Sequence, residues 1–197
     1  MIAYIISLII YILLQPAAYF VYNNLFVSLL LKLGVLSIIM FYFKKYFKFK
    51  FRFDSFTILS GIIIAVIWII IDDYYPHLGA DQSLTWTIPA IFVKLIISIV
   101  IAPIIEEFFT RFFLSRWIIN TSWEKIDEGK FTLNSFIITV LFFGFSHNRW
   151  LSGIIAGAIL NYLFYKNKNI GSCVVSHSIA NLILGIYVII TNSFNFW

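Results

Sequence analysis

From Ile2 to Tyr22 the chain runs without one charged side chain, and from Phe56 to Ile71 it does so again. Apolar stretches of this length limit the possible folds more than any other feature. A helix advances about 1.5 Å per residue, so it needs about 20 apolar residues to cross about 30 Å of hydrocarbon. Seven stretches qualify or come close: Ile2 to Tyr22, Leu25 to Phe43, Phe56 to Ile71, Ile88 to Arg111 and beyond, Leu133 to His147, Leu151 to Tyr165, and Gly171 to Thr191. With 61% hydrophobic and only 12% charged residues, and a mean hydropathy of +0.95, the composition is not that of a soluble domain. A transmembrane barrel would show strict alternation over segments of about ten residues, and these runs are continuous. The predicted fold is therefore all-α, a polytopic transmembrane helical bundle of about seven spans, within a range of about six to eight.

No Gly-, Ser- or Pro-rich linker divides the chain and no fixed-period repeat is visible, so residues 1–197 read as a single membrane domain. The first segment lacks a basic flank and is long and Tyr-rich, which reads as a retained helix rather than a cleaved signal. The single cysteine, Cys173, excludes an intramolecular disulfide and a cysteine metal cluster.

The net charge of +5 reports orientation rather than nucleic-acid binding. Lys44, Lys45, Lys48, Lys50 and Arg52 crowd the loop after the second stretch, whereas the loop after the third carries Asp72, Asp73 and Asp81 and no Lys or Arg. The positive-inside rule then predicts a cytoplasmic N-terminus and an external C-terminus, in what reads as a bacterial plasma membrane. Trp86 and Trp150 fall at predicted outer ends, and Trp117 and Trp123 at an inner one. The basic loop suits contact with anionic lipid.

Function concentrates in residues 88–191, and 1–87 read as scaffold. Glu106 and Glu107 lie side by side in a run, Ile96 to Phe113, that is otherwise almost wholly apolar. One ionised carboxylate at the centre of a membrane helix costs about 2.5 to 3.5 kcal/mol, so two adjacent acids need a partner, a wet cavity or a function. Glu107 and Arg111 are spaced i, i+4 with acid before base, the favourable order for a pair on one helix face. Glu106 is turned about 100° away and has no such partner. It is the free carboxylate.

His177 and Asn181, also four apart, share one face of the last helix and can together donate to a developing oxyanion. His147 stands on a separate span, where a histidine and a glutamate converging on one water can deprotonate it and later protonate a leaving amine. His77, in the loop beside Pro76, reads as non-catalytic. Gly153, Gly157 and Asn161 form a stripe that suits close helix packing. The chain has no nucleophile elbow, HExxH helix or phosphate-binding Gly-rich loop.

The order Glu106-Glu107-x-x-x-Arg111, Phe143-x-x-x-His147, His177-x-x-x-Asn181 on successive apolar segments resembles the CAAX protease and bacteriocin-processing family of glutamic intramembrane proteases. The resemblance covers about residues 88–191. It implies that Glu106 and His147 activate a water, that His177 and Asn181 stabilise the oxyanion, and that Glu107 and Arg111 hold the site together. It also implies a membrane-associated or lipidated protein or peptide as substrate, and no nucleic acid as partner. His147-Asn148-Arg149-Trp150 and the terminal Phe196-Trp197 look like a bacterial CAAX-protease-related subgroup linked to exosortase-type sorting systems. No metal is implied on the glutamic reading, but two histidines and a carboxylate also make a zinc site, so His147, His177 and Glu106 as zinc ligands stay open. A non-catalytic peptide-sequestering or immunity protein, and a small transporter relaying protons through Glu106, are the other classes the residues allow.

One expectation conflicts with simple hydropathy. His147 lies about 21 Å along its helix from Leu133, whereas His177 lies only about 9 Å from Gly171, so the two histidines fall at different depths.

Overall fold

The computed structural model describes residues 1–79 and 84–197; the Asp81 counted in the acidic loop lies outside the described residues. Seven helical segments carry the architecture: α1 (Ile2–Tyr22), α2 (Leu25–Tyr42), α3 (Ser55–Ile70), α4 (Ile88–Ile119), α5 (Leu133–Phe145), α6 (Trp150–Asn167) and α7 (Ile170–Thr191). No strand occurs among the described residues. Short polar residues set the helix starts. Asn24, Asp54, Thr87, Thr132 and Asn169 each accept a backbone N–H from the first turn of the helix that follows, which satisfies a donor the helix itself cannot. Asn23 takes the left-handed conformation at φ 46°, tolerable for its short amide side chain, and closes α1 onto α2 in a two-residue turn.

Of the seven expected spans, α1, α2, α4 and α7 are long and apolar enough to cross a membrane, while α3 and α5 are shorter apolar helices. Large apolar side chains such as Phe20, Phe41, Ile70 and Ile190 face outward, the reverse of a soluble protein and the surface a lipid-facing bundle needs.

The fourth stretch does continue beyond Arg111, to Ile119, as one irregular helix. Two π-helical turns, Ile97–Ile101 and Phe108–Leu114, flank the acidic pair. Pro103 accounts for the chemistry of the first. The Ala102 N–H donates to the Ile97 carbonyl, which shifts the ladder by one residue, and the next donor in that register would be Pro103, which has no N–H. The Ser98 carbonyl is thereby left for a side chain to claim.

Small residues allow the close contacts. A Cβ on Gly61 of α3 would meet the Ser176 carbonyl of α7 at 2.5 Å, and one on Gly153 of α6 would meet Gly144 Cα of α5 at 3.0 Å. The Gly153–Gly157 stripe thus packs as expected. At the end of the bundle carrying the lysine-rich loop, Tyr4 is surrounded by Phe47, Phe108, Phe113 and Trp123. Trp123 is buried and Arg116 donates to the Ile126 carbonyl at 2.7 Å, so the α4–α5 connection folds under the bundle. At the opposite end Asp72 is buried and accepts two hydrogen bonds from Arg149, at 2.5 and 3.1 Å. Arg149 also donates to the Asn195 carbonyl and lies over the Phe196 ring. This one guanidinium ties the α3–α4 loop, the α5–α6 turn and the C-terminal segment together. His77 contacts Asp72 in the same cluster, away from the acids of α4.

Replacing Gly61 by Ala forces the new methyl into a backbone carbonyl rather than a movable side chain. The expected loss is about 1–3 kcal/mol of stability, read as a lowered thermal midpoint of the purified protein in detergent. An unchanged midpoint would contradict the α3–α7 packing.

Candidate active site

The two adjacent acids of α4 occupy different environments. Glu107 is fully buried and Oε1 accepts from Arg111 at 3.1 Å, the i, i+4 pair the sequence predicts. The same oxygen also accepts from His177 Nδ1 at 2.8 Å, a contact between α4 and α7 that spacing does not reveal. Arg111, itself fully buried, also donates to Asn161 Oδ1 at 3.2 Å and to the Gly157 carbonyl at 3.3 Å. Its guanidinium stacks 4.1 Å from the centre of the Phe143 ring. Asn161, expected to serve packing, is therefore a polar partner as well, and it donates to Thr139 Oγ1 at 2.8 Å. The readable signal was a buried amide on a membrane helix, which normally finds a hydrogen-bond partner across the interface.

Glu106 faces a cavity of about 140 Å³, together with His147, His177, Asn181 and Lys94. Its Oε2, like that of Glu107, has no hydrogen-bond partner, and it lies 3.7 Å from His147 Nε2. His147 is not on the helix, as its segment suggested, but just past the end of α5 at Phe145. Its Nδ1 donates to the Phe143 carbonyl at 2.6 Å. That contact reaches back about one helical turn. The depth conflict eases here, because the ring swings down towards Glu106, and the two histidines approach successive acids of the same helix. A carbonyl only accepts, so Nδ1 carries a proton, and in the neutral ring Nε2 presents its lone pair. Two acceptors facing each other across 3.7 Å suit a donor between them that offers two protons, as water does.

Asn181 donates one amide N–H to the orphaned Ser98 carbonyl at 2.7 Å, which orients its second N–H-bearing edge and ties α7 to the π-helical turn of α4. His177 donates Nδ1–H to Glu107, leaving Nε2 as its second functional nitrogen. All four expected site residues, Glu106, His147, His177 and Asn181, line one cavity. Glu107 and Arg111 stand behind it.

A second, smaller cavity of about 110 Å³ reaches Glu106 and His147 from between α1 and α5, past Leu8, Ile12 and Phe142. Ile12 is 48% exposed on the bundle surface. The acid–histidine pair is thus the point where two clefts meet. Among the described residues no group of three or more His, Cys, Asp and Glu side chains is arranged to hold a metal ion; His147 Nε2 turns to Glu106, and His177 Nδ1 to Glu107.

These features define an all-helical membrane protein with a water-sized acid–histidine site sunk between its helices. Residues 87–183, which hold every residue of that site, match the family described as type II CAAX prenyl endopeptidase Rce1-like. The match, just under half of the chain, is to a family of peptidases, the one that the order of the three motifs suggested. No curated protein and no solved structure matches the chain.

Replacing Arg111 by Met leaves Glu107 and Asn161 buried without their main donor. Removing one partner of such a pair costs about 3–5 kcal/mol, so Arg111→Met should unfold at markedly lower temperature than Lys94→Met, which breaks no ion pair. Equal midpoints would show that the buried pair does not hold the site.

Proposed function

We propose that this protein is a glutamic-type intramembrane endopeptidase that hydrolyses a peptide bond of a membrane-associated or lipidated substrate. The observation that carries the reading is that Glu106 and His147 line one cavity with Oε2 and Nε2 3.7 Å apart. A water bridging these two acceptors loses a proton to one of them as its oxygen attacks the scissile carbonyl, and the proton then passes to the leaving amine. Asn181 and His177 donate to the oxyanion, His177 through Nε2 once that nitrogen carries a proton. Glu107 and Arg111 position His177 and touch no reacting atom. The metal-free reading takes Glu106 and His147 as the two groups that act on one water, whereas a zinc ion would take Nε2 of His147 and of His177 together with Glu106, and chelator separates the two.

The cleft between α1 and α5, lined by Leu8, Ile12 and Phe142 together with Tyr11, Thr110 and Ser146, offers a route to the reacting pair from the side of the bundle, which suits a membrane-associated substrate. If the lysine-rich loop is cytoplasmic, as the charge rule predicts, the mouth of the larger cavity faces outward. The exosortase-associated subgroup adds exported, sorted proteins as one source of such substrates.

Glu106→Gln and His147→Ala should each lower kcat on a membrane-anchored peptide by about 10²- to 10⁴-fold, the usual share of general acid–base catalysis. Asn181→Ala should lower kcat by about 10²- to 10³-fold with little change in KM. Wild-type cleavage should be indifferent to chelator; chelator-sensitive cleavage would establish the zinc reading instead. Peptide binding that persists with no cleavage by any form would establish the sequestering alternative.

A further inference from the structure

Where α7 ends, Asn192 takes the left-handed conformation at φ 56° and the chain turns back on itself. Residues 193–197 then run beside the last turns of α7. The Phe196 ring packs edge-on against Tyr187 at 5.7 Å between ring centres, and a Cβ on Gly185 would lie 3.8 Å from Trp197. Phe196 and Trp197 both line the larger cavity, in which Glu106, His147, His177 and Asn181 meet. The reaction above uses neither of them.

This segment is held lightly. None of residues 194–196 is buried, and its backbone N–H groups bond within the segment or to the end of α7. Among the described residues, the one side chain from elsewhere that hydrogen-bonds it is Arg149, at 2.7 Å to the Asn195 carbonyl. The same guanidinium lies 4.2 Å from the centre of the Phe196 ring and is itself fixed by buried Asp72. From the other side Trp86, just ahead of α4, stacks on Phe194 and packs against Trp197, at 5.5 and 5.1 Å between ring centres. A segment with few buried contacts and a single hydrogen-bonding latch opens at a small cost compared with the helices beneath it.

We propose that residues 193–197 form a strap over the larger cavity, latched by Arg149 and Trp86, which closes the acid–histidine site to molecules in the surrounding water and opens it when it lifts. The consequence for function rests on the peptidase reading. A closed strap shields the reacting water from bulk solvent and from soluble peptides, as the lids of many enzymes do. It leaves the cleft between α1 and α5 as a way in from the side of the bundle.

The test uses full-length protein in phosphatidylcholine nanodiscs with Cys173→Ala, so that a single introduced thiol, Ser98→Cys, reports on the cavity wall. Its labelling by a small charged methanethiosulfonate follows the fraction of time the strap is open. Trp86→Leu and Phe194→Leu each remove one ring of the stack that holds the strap, and neither residue lines the cavity. Both should speed labelling about 10- to 100-fold as the closed population falls. With Ser98 restored and the buried Cys173 as the only thiol, the same variants should stay unlabelled, because the fold is intact. Labelling of Ser98→Cys at one rate with and without the stack overturns the proposal. Cys173 becoming reactive in both variants would show that residues 193–197 hold the fold rather than cover the cavity, and overturns it too. Neither result touches the peptidase reading, which cleavage by wild type decides. Faster labelling of the variants in a protein that cleaves no peptide would keep the strap and remove the peptidase.

Discussion

The fully buried Glu107–Arg111 pair is the contact on which the other helices depend. Two ions out of water need further donors and acceptors around them, because desolvation otherwise exceeds their attraction; here Glu107 Oε2 is left without one. Here α6 supplies Asn161 and the Gly157 carbonyl, α7 supplies His177, and α5 supplies the Phe143 face and, through Thr139, the partner of Asn161. One ion pair thus gathers three helices around the fourth. The close approach it requires is made possible by Gly153 and Gly157, which leave no side chain between α5 and α6. Packing and charge satisfaction are the same event in this core.

The irregularity of α4 serves the opposite purpose. A regular helix would bind all its own carbonyls and offer the cavity only side chains. Pro103 removes one donor, and the freed Ser98 carbonyl becomes the anchor for Asn181. Adjacent residues of a helix are turned about 100° apart, so the two acids, between the π-helical turns, face different neighbours. Glu107 meets Arg111 and His177 through Oε1, Glu106 faces His147, and Oε2 of each acid has no hydrogen-bond partner. Two identical side chains, one position apart, acquire separate roles from their surroundings alone.

Much of the site was readable because it is written in helical spacing. Glu107 with Arg111, and His177 with Asn181, follow from i, i+4 geometry, and the price of charge in a membrane singled out Glu106 before any fold was known. The position of His147 was legible only in outline: continuous hydropathy carried its helix through to the histidine, whereas the helix stops at Phe145 and the ring turns back to the Phe143 carbonyl. Hydropathy does not sense a hydrogen bond between a side chain and its own backbone. Arg149 was visible only as part of a motif; its burial against Asp72 joins residues 77 apart, which no local pattern reports.

The sequence by itself determined that the chain is a helical membrane bundle, where most helices begin, and which residues share a helical face. Those properties depend on hydropathy, capping and the 3.6-residue period, all of which act over a few neighbours. Only the tertiary structure decided that Glu107 binds His177, that Asn161 completes the Arg111 cradle, and that Glu106 and His147 meet where two clefts join. Those contacts link residues tens of positions apart on different helices, and helical period carries no information about which faces of separate helices will meet.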